Sequence, residues 1–430
     1  MSTEILVSGT PEGYDAKIIL NEIKHQGNSV IHIARDDKRM RAMGDALKFF
    51  KPDLAVFEFP SWDCLPYDRV SPNLEISSAR MGILSKFADN IAKEYVVLTT
   101  LNAVLQKVPC SSVVKSYGFK AVVGRNINES NLREFLVRMG FTKSSTVREA
   151  GEYAIRGGII DIFPPRYSNP VRLDLFGTIL DGARLFDPET QLTIKKLHEI
   201  ELAPVSEVVL DEFSIRNFRQ SYRAEFGSSL SNDPLYESVS AGRKYQGLEH
   251  WLPLFYEKLD TFFSYFPSAT LTMYKNLETD LSSRCKLVAD QYEARNFAND
   301  NKPTKDYAYK PLKPTALYLD EADWVNLIKT RRTLIFDPLP QPLGPNIIDS
   351  GGRAGRNFAP ERQSNNLNLF SSLADHLKTR LQYGPVLIAS YSEGSLERLS
   401  GLLTDEGLDR PVAVSNWSMV ASPVVHMSVW

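Results

Sequence analysis

Cysteine is scarce in this sequence. Its 430 residues hold three, Cys64, Cys110 and Cys285, far apart and in no paired spacing. That excludes a disulfide framework or a cysteine-based zinc site, and a reducing cytoplasm is the expected location. The six histidines are scattered, and no nucleophile–base pair or His/Glu cluster stands out, so no catalytic or metal residue is assigned. No apolar run approaches the roughly 18 residues that span a bilayer. The opening MSTEILVSGTPEGYD lacks the basic start and apolar core of a secretory leader. A soluble protein with no membrane partner is expected. Charge of one sign is missing too: 50 basic against 52 acidic residues leave a formal net charge of −2, which argues against a protein built only to grip nucleic-acid backbone. What is present is a globular composition, 43% hydrophobic and 24% charged, in a chain long enough for roughly two to four domains.

Residues 1–115 alternate between short apolar strands (Ile5–Val7, Ser29–Ala34, Leu54–Phe57, Tyr95–Thr99) and helical spacing (Ile18–Ile23, Asp37–Phe50, Ile76–Ala88, Leu101–Gln106). Such alternation predicts a parallel sheet covered on both faces. Residues 116–205 turn β-rich, with one helix at Ser130–Met139. Residues 206–336 read as mainly helical, with a strand at Ala269–Met273. Residues 337–368 are dense in Pro, Gly and Asn and read as a flexible linker. Residues 369–430 form a small α/β unit: helices Leu369–Leu381 and Ser392–Glu406, strands Pro385–Ser390, Pro411–Val414 and Val424–Trp430. A chain stopping on such a strand is expected to be part of a longer protein. The fold class is therefore α/β and multidomain.

The most legible stretch is Gly151–Asp187. Tyr153–Arg156 and Ile159–Phe163 flank Gly157–Gly158, a hairpin-type dipeptide. Pro164–Pro165 and Asn169–Pro170 bracket a loop, since proline cannot donate to a ladder. Val171–Phe176 follows, with Asp181–Gly182 expected as a turn before Ala183–Phe186. Strand alternation puts Val171, Leu173 and Leu175 on one face and Arg172, Asp174 and Phe176 on the other. A phenylalanine on the charged face is either an exposed anchor or a core residue whose face is reassigned by a bulge near Gly177. Asp174 lies where it can pair with an arginine. The aromatic residues Trp251, Phe255, Phe262, Phe263, Tyr265 and Phe266 read as core or, alternatively, as a base-stacking surface. Arg331–Arg332 and the Arg353–Arg356 region read as linker charges rather than a DNA track.

One site is conspicuous for its missing chemistry. Ile5–Val7, the loop SGTPEGYD and a helix form the setting of a phosphate-binding loop, whose pattern G-x-x-x-x-G-K-[ST] supplies amides, a lysine and a magnesium-binding hydroxyl. Here Ser8 replaces the first glycine, Gly13 keeps the second, Tyr14 replaces the lysine and Asp15 the hydroxyl. A carboxylate there repels phosphate, so this nucleotide site is expected to be inactive.

The segments LPYDRVSPNLEISSAR (65–80), VLTTLNAVLQKVP (97–109), REAGEYAIRGGIIDIFP (148–164), NPVRLDLFGTILDGARLFDPETQ (169–191) and TFFSYFP (261–267) resemble the bacterial transcription-repair coupling factor (Mfd) family. The resemblance implies a UvrB-like module: a degenerate RecA/P-loop-type parallel-sheet domain, a β-rich domain that binds UvrA, a helical subdomain and a small C-terminal α/β domain. It implies that Arg156, Arg172 and Phe176 contact UvrA. It also implies that Tyr274–Lys275 stand where UvrB carries an Asp-Glu pair for magnesium and water activation. No cofactor is then expected for this stretch. ATP and magnesium would belong to a motor beyond residue 430, as would the regions meeting RNA polymerase and double-stranded DNA. The implied role is an adaptor that brings excision repair to stalled RNA polymerase. The alternatives are an active UvrB-type ATP-dependent helicase subunit on damaged DNA, and a structural cover that holds the motor inactive.

Overall fold

The computed structural model describes residues 4–88, 94–227, 233–300, 309–363, 368–421 and 423–429. Its largest sheet has seven strands, all parallel. Four come early: β1 (Glu4–Ser8), β2 (Val30–Ala34), β3 (Ala55–Phe59) and β4 (Tyr95–Thr100). Helices α1 (Tyr14–Gln26), α2 (Asp37–Phe50) and α3 (Leu74–Ala88) connect them. The sequence dictates each locally. β2 reads VIHIA and is buried at every position, as a strand covered on both faces must be. In α2 the Asp36 carboxylate caps the Arg39 amide, and Met40, Met43 and Leu47 fall on the buried stripe. Gly27 ends α1 in the left-handed region at φ 62°.

The β-rich region forms a second sheet from β5 (Thr142–Lys143), β6 (Glu152–Arg156), β7 (Ile159–Ile162), β8 (Val171–Phe176), β9 (Ile179–Phe186) and β10 (Thr193–Leu197), side by side in chain order. Beneath one face, Leu132 and Leu136 of the helix Glu129–Arg138 join Ile160, Ile162, Val171, Leu173 and Leu180 in a closed core. The predicted turn at Asp181–Gly182 is not one. The chain reverses at Gly177–Thr178, where Gly177 takes φ 61°, and β9 runs straight through residues 181 and 182. Asp174 pairs with Gly182 while Leu175 pairs with Leu180, so Asp181 is the extra residue of a β-bulge. Asp-Gly serves bulges as readily as turns, because both need backbone freedom.

The main sheet is completed by β11 (Thr270–Tyr274), β12 (Thr333–Asp337) and β13 (Ile347–Asp349), in the order β13-β1-β12-β11-β2-β4-β3. The last of these corrects a second expectation: the stretch 337–368 is not simply a linker. It returns to the sheet as an edge strand beside β1, with Leu6 opposite Ile347. The aromatic run is core, with Trp251, Phe255, Phe262, Phe263, Tyr265 and Phe266 all buried. Arg331 and Arg332 are not linker charges either. Arg331 donates to the Phe266 and Phe263 carbonyls at 2.6 and 2.8 Å, and Arg332 pairs with Glu22 at 2.6 Å.

A buried ion pair ties α3 to the segment that follows the β-rich region. Arg80 of α3 and Glu207 are both withdrawn from solvent and meet at 2.5 Å. Arg80 also donates to the Pro60 carbonyl at 2.8 Å. Two residues on, Gly82 packs so closely on the Pro165 carbonyl that any Cβ would overlap it. The C-terminal unit has a three-stranded parallel sheet, with Val425–Val429 between Val386–Ser390 and Val412–Ala413. Its Trp417 rests on Phe50 of α2, ring centroids 5.3 Å apart.

Candidate protein-docking face and degenerate phosphate loop

The outer face of the β-rich sheet is set by strand parity. Val171 and Leu173 point to the core, Arg172 and Asp174 point out, and Phe176 beyond them is 78% exposed. A bulge exists, as one reading of Phe176 required. It lies on the partner strand and leaves Phe176 opposite Ile179, itself 43% exposed. Ile159, across from Asp174, is exposed on the same face. The tip of the sheet therefore presents Phe176, Ile179 and Ile159 to solvent.

Beside this apolar tip, Arg156 and Arg172 converge on one carboxylate, Asp161, whose side chain is 1% exposed. Arg172 grips it at two points, Nε to Oδ1 at 2.6 Å and Nη2 to Oδ2 at 2.9 Å. Arg156 Nη2 reaches Oδ2 at 2.6 Å. Arg172 also donates to Gln191 Oε1 at 3.0 Å and stacks its guanidinium 4.5 Å above the buried Phe186 ring. The hydrogen bonds it donates to Asp161 hold the Arg172 guanidinium above its ordinary pKa. Arg156 remains half in solvent. Asp174 does pair with an arginine, but with Arg184 across the ladder. Asp161 is the residue that sequence reasoning missed. Its signal was a single carboxylate inside the apolar run IIDIF.

The structure also gathers Ser8, Gly13, Tyr14, Asp15, Tyr274 and Lys275 at the C-terminal edge of the main sheet. There, a nucleotide-binding loop would offer free amides. Here the chain supplies its own acceptors. Gly9 and Thr10 donate to the Leu339 and Asp337 carbonyls at 3.1 and 2.8 Å, and Tyr14 and Asp15 to the Pro11 carbonyl at 3.1 and 3.3 Å. The Gly13 and Ala16 amides both donate to Asp15 Oδ1, at 2.9 and 3.0 Å. Asp15 thus holds the place of the anion. Burial raises its pKa against the opposing pull of Arg39, which pairs with its other oxygen.

The remaining replacements are also engaged. Ser8 donates to the Ile348 carbonyl at 3.4 Å, and Tyr14 to the Ser350 carbonyl at 3.0 Å, both in the segment following β12. Tyr274 donates to Asp280 at 2.7 Å. Lys275 pairs with Asp337 at 2.6 Å. Burial opposes the charge on Asp337, but Lys275, the Leu339 amide and Gln341 hold its carboxyl below the ordinary value. Gly352 lies against the Gly9 carbonyl and closes the segment over the loop. Among the described residues no cluster of metal-ligating side chains occurs, and no helix is long and apolar enough to cross a membrane.

Comparison with known proteins adds a family to this geometry. Residues 119–208 match the UvrB interaction domain, the region that holds the arginine pair and Phe176. The chain is similar to the transcription-repair-coupling factor of Rickettsia bellii, 29% identical over 314 residues, covering 73% of this chain and 28% of that protein. The Rickettsia prowazekii relative is 30% identical over 308 residues, covering 71% and 27%. That of Escherichia coli K12 is 29% identical over 394 residues, covering 90% and 33%. The chain spans about a third or less of the length of these relatives. It carries a UvrB interaction domain, set within an α/β sequence that resembles transcription-repair-coupling factors over most of its length.

Proposed function

We propose that this chain is the UvrA-recruiting module of a transcription-repair coupling factor. The face bearing Arg156, Arg172 and Phe176 docks UvrA, and the degenerate loop takes no part in ATP hydrolysis. In the longer protein, regions outside this chain would bind ATP and magnesium and meet RNA polymerase and double-stranded DNA in the cytoplasm. The observation that carries the reading is the exposed Phe176 beside two arginines held by a buried carboxylate. An aromatic anchor next to oriented guanidiniums has the composition of an interface hot spot. Asp161 fixes the arginine rotamers before any partner arrives, which reduces the ordering cost of binding.

The self-occupied loop supports the non-hydrolysing half of the proposal. A nucleotide would have to displace Asp15 from two amides and bring its phosphates against that carboxylate. This counts against the reading as an active UvrB-type helicase subunit. The test is a pull-down and titration with UvrA. Wild-type chain is expected to bind, and Phe176→Ala to bind at least about 30-fold more weakly, the factor matching a 2 kcal/mol hot spot. Unaltered binding by both Phe176→Ala and Arg156→Ala overturns the docking face. Micromolar ATP binding by the chain overturns the inactive loop.

A further inference from the structure

One arginine that belongs to neither site just described has an unpaired nitrogen. Arg284 sits in the first third of helix α4 (Leu277–Asp300). Its Nε is out of solvent and has no hydrogen-bond acceptor among the described residues. The residue lines a pocket of about 200 Å³ between α4 and the turn leading to Asp320. Leu105, Val288, Ala289 and Leu319 provide mainly apolar walls. The groups whose charge bears on Arg284 are Tyr318, Cys285 and Cys64, none of them a carboxylate. Burial lowers the Arg284 pKa. Asp320 also lines the pocket, but its carboxylate caps the next helix by accepting from the Asp323 amide at 2.8 Å. The arginines discussed above, by contrast, all have a carboxylate or carbonyl partner: Arg39, Arg80, Arg156, Arg172, Arg184, Arg331 and Arg332.

Arg284 is only partly buried, yet it has no carboxylate partner among the described residues, and a guanidinium left open beside apolar walls is suited to an incoming anion. We infer that this pocket binds a small carboxylate with an apolar body, the carboxylate on Arg284 and the body against Val288, Ala289 and Leu105. Size agrees with class. An apolar cavity of about 150 Å³ accommodates a benzene ring, so 200 Å³ leaves room for one ring or a short branched chain plus a carboxyl group. A planar carboxylate suits a guanidinium, which offers paired N–H donors in one plane. A neutral ligand of the same shape would leave the Arg284 charge uncompensated. The bound molecule would touch both α4 and residues 314–320, clamping the helix to the short helical turn Pro314–Leu317 and the residues that lead from it to Asp320.

The probe is benzoate, with benzyl alcohol as the neutral isostere, titrated against the whole 430-residue chain by calorimetry and by thermal shift. Wild type is expected to bind benzoate, with benzyl alcohol at least tenfold weaker. Arg284→Met keeps the stem volume and removes the charge, and is expected to lose benzoate at least tenfold while remaining folded by circular dichroism. Ala289→Phe, which fills the pocket and leaves Arg284 in place, is expected to abolish benzoate binding as well. Absence of benzoate binding to wild type up to its solubility limit overturns the inference. So does equal binding of benzoate and benzyl alcohol, or benzoate binding that survives Ala289→Phe. Should Arg284→Met fail to fold, the isostere comparison on wild type and the Ala289→Phe variant decide.

Discussion

Asp161 and Arg172 form a two-point ion pair across adjacent strands, Nε to Oδ1 at 2.6 Å and Nη2 to Oδ2 at 2.9 Å, with Asp161 buried. The pair makes Arg172 a structural residue as well as a surface one. Arg172→Ala leaves Asp161 with Arg156 alone, which is half exposed and held at one point, and strips the cover from Phe186. Removing one partner of a buried pair costs on the order of 3 kcal/mol. Urea unfolding is expected to show that loss, so weakened UvrA binding by this variant carries no weight by itself. Arg172→Lys should also lose stability, because an ammonium can neither grip two oxygens at once nor stack flat on the ring. A midpoint within 0.3 M of wild type, equivalent to about 0.5 kcal/mol at an ordinary urea slope, contradicts the assignment.

Phe176→Ala is the clean probe of the face. With 78% of its surface in water, the side chain contributes little to folding, and surface changes of this kind usually stay within about 0.5 kcal/mol. Its melting temperature should match wild type while UvrA affinity falls at least about 30-fold. Ile179, paired directly with it, gives a graded comparison. Ile179→Thr keeps the β-branched shape, removes apolar contact, and is expected to weaken binding by a smaller factor than Phe176→Ala. Equal affinity for all three proteins would place the docking surface elsewhere.

Much of this face was legible in the sequence because a strand has a side-chain period of two. VRLDLF sorts itself into Val171 and Leu173 against Arg172, Asp174 and Phe176 with no knowledge of neighbours, and the burial pattern follows. The partner of the arginines was not legible. Asp161 meets Arg172 only because β7 and β8 pair in the register Asp161 opposite Arg172, and register depends on the intervening loop. The Asp-Gly bulge was hidden for a related reason, since a turn and a bulge place similar demands on two residues. The loop around Ser8–Asp15 announced a missing lysine and hydroxyl. That Asp15 turns back onto the Gly13 and Ala16 amides depends on the folded path of the loop, which no local pattern encodes. Strand β13 escaped because three residues among prolines and glycines carry no period, and a parallel partner 341 positions away in sequence, Leu6 opposite Ile347, leaves no local trace.

The return of that strand makes a prediction at Gly352. A methyl group there would overlap the Gly9 carbonyl and crowd the Pro11 ring, and such over-packing costs about 1–3 kcal/mol locally. Gly352→Ala is expected to release the segment 347–356 from the loop. Trypsin should then cut at Arg353 and Arg356 at least about fivefold faster, the factor for 1 kcal/mol of local opening. Gly355→Ala meets no atom within 4 Å and should cleave at the wild-type rate. Identical rates for all three proteins would mean that Gly352 does not hold the segment down.

Acid stability offers a final measurement, from two buried histidines. Burial, with Arg39 adding to it, lowers the His32 pKa to about 3. Burial also lowers that of His250 to about 4, Asp68 opposing and Arg295 assisting. Unfolded, both take up a proton near the ordinary value of 6.5. The unfolded chain therefore binds more protons below that pH. The stability these neutral rings contribute is complete above pH 6.5 and is lost as pH falls toward 4 and 3, approaching about 1.4 kcal/mol per pH unit for each ring. Asp15 and Glu249 pull the other way, because burial raises both carboxyls, so the informative quantity is a difference between wild type and a variant. His250 stands edge-on to Trp62 with centroids 5.6 Å apart, and neither ring nitrogen has a hydrogen-bond partner among the described residues. His250→Phe should therefore fold. Relative to wild type it is expected to gain stability steadily from pH 6.5 down to pH 4.5 in urea titrations, reaching about 2 kcal/mol at the lower end. A wild-type-minus-variant difference that stays flat across that range would show that His250 takes up its proton in the folded protein at the same pH as in the unfolded chain.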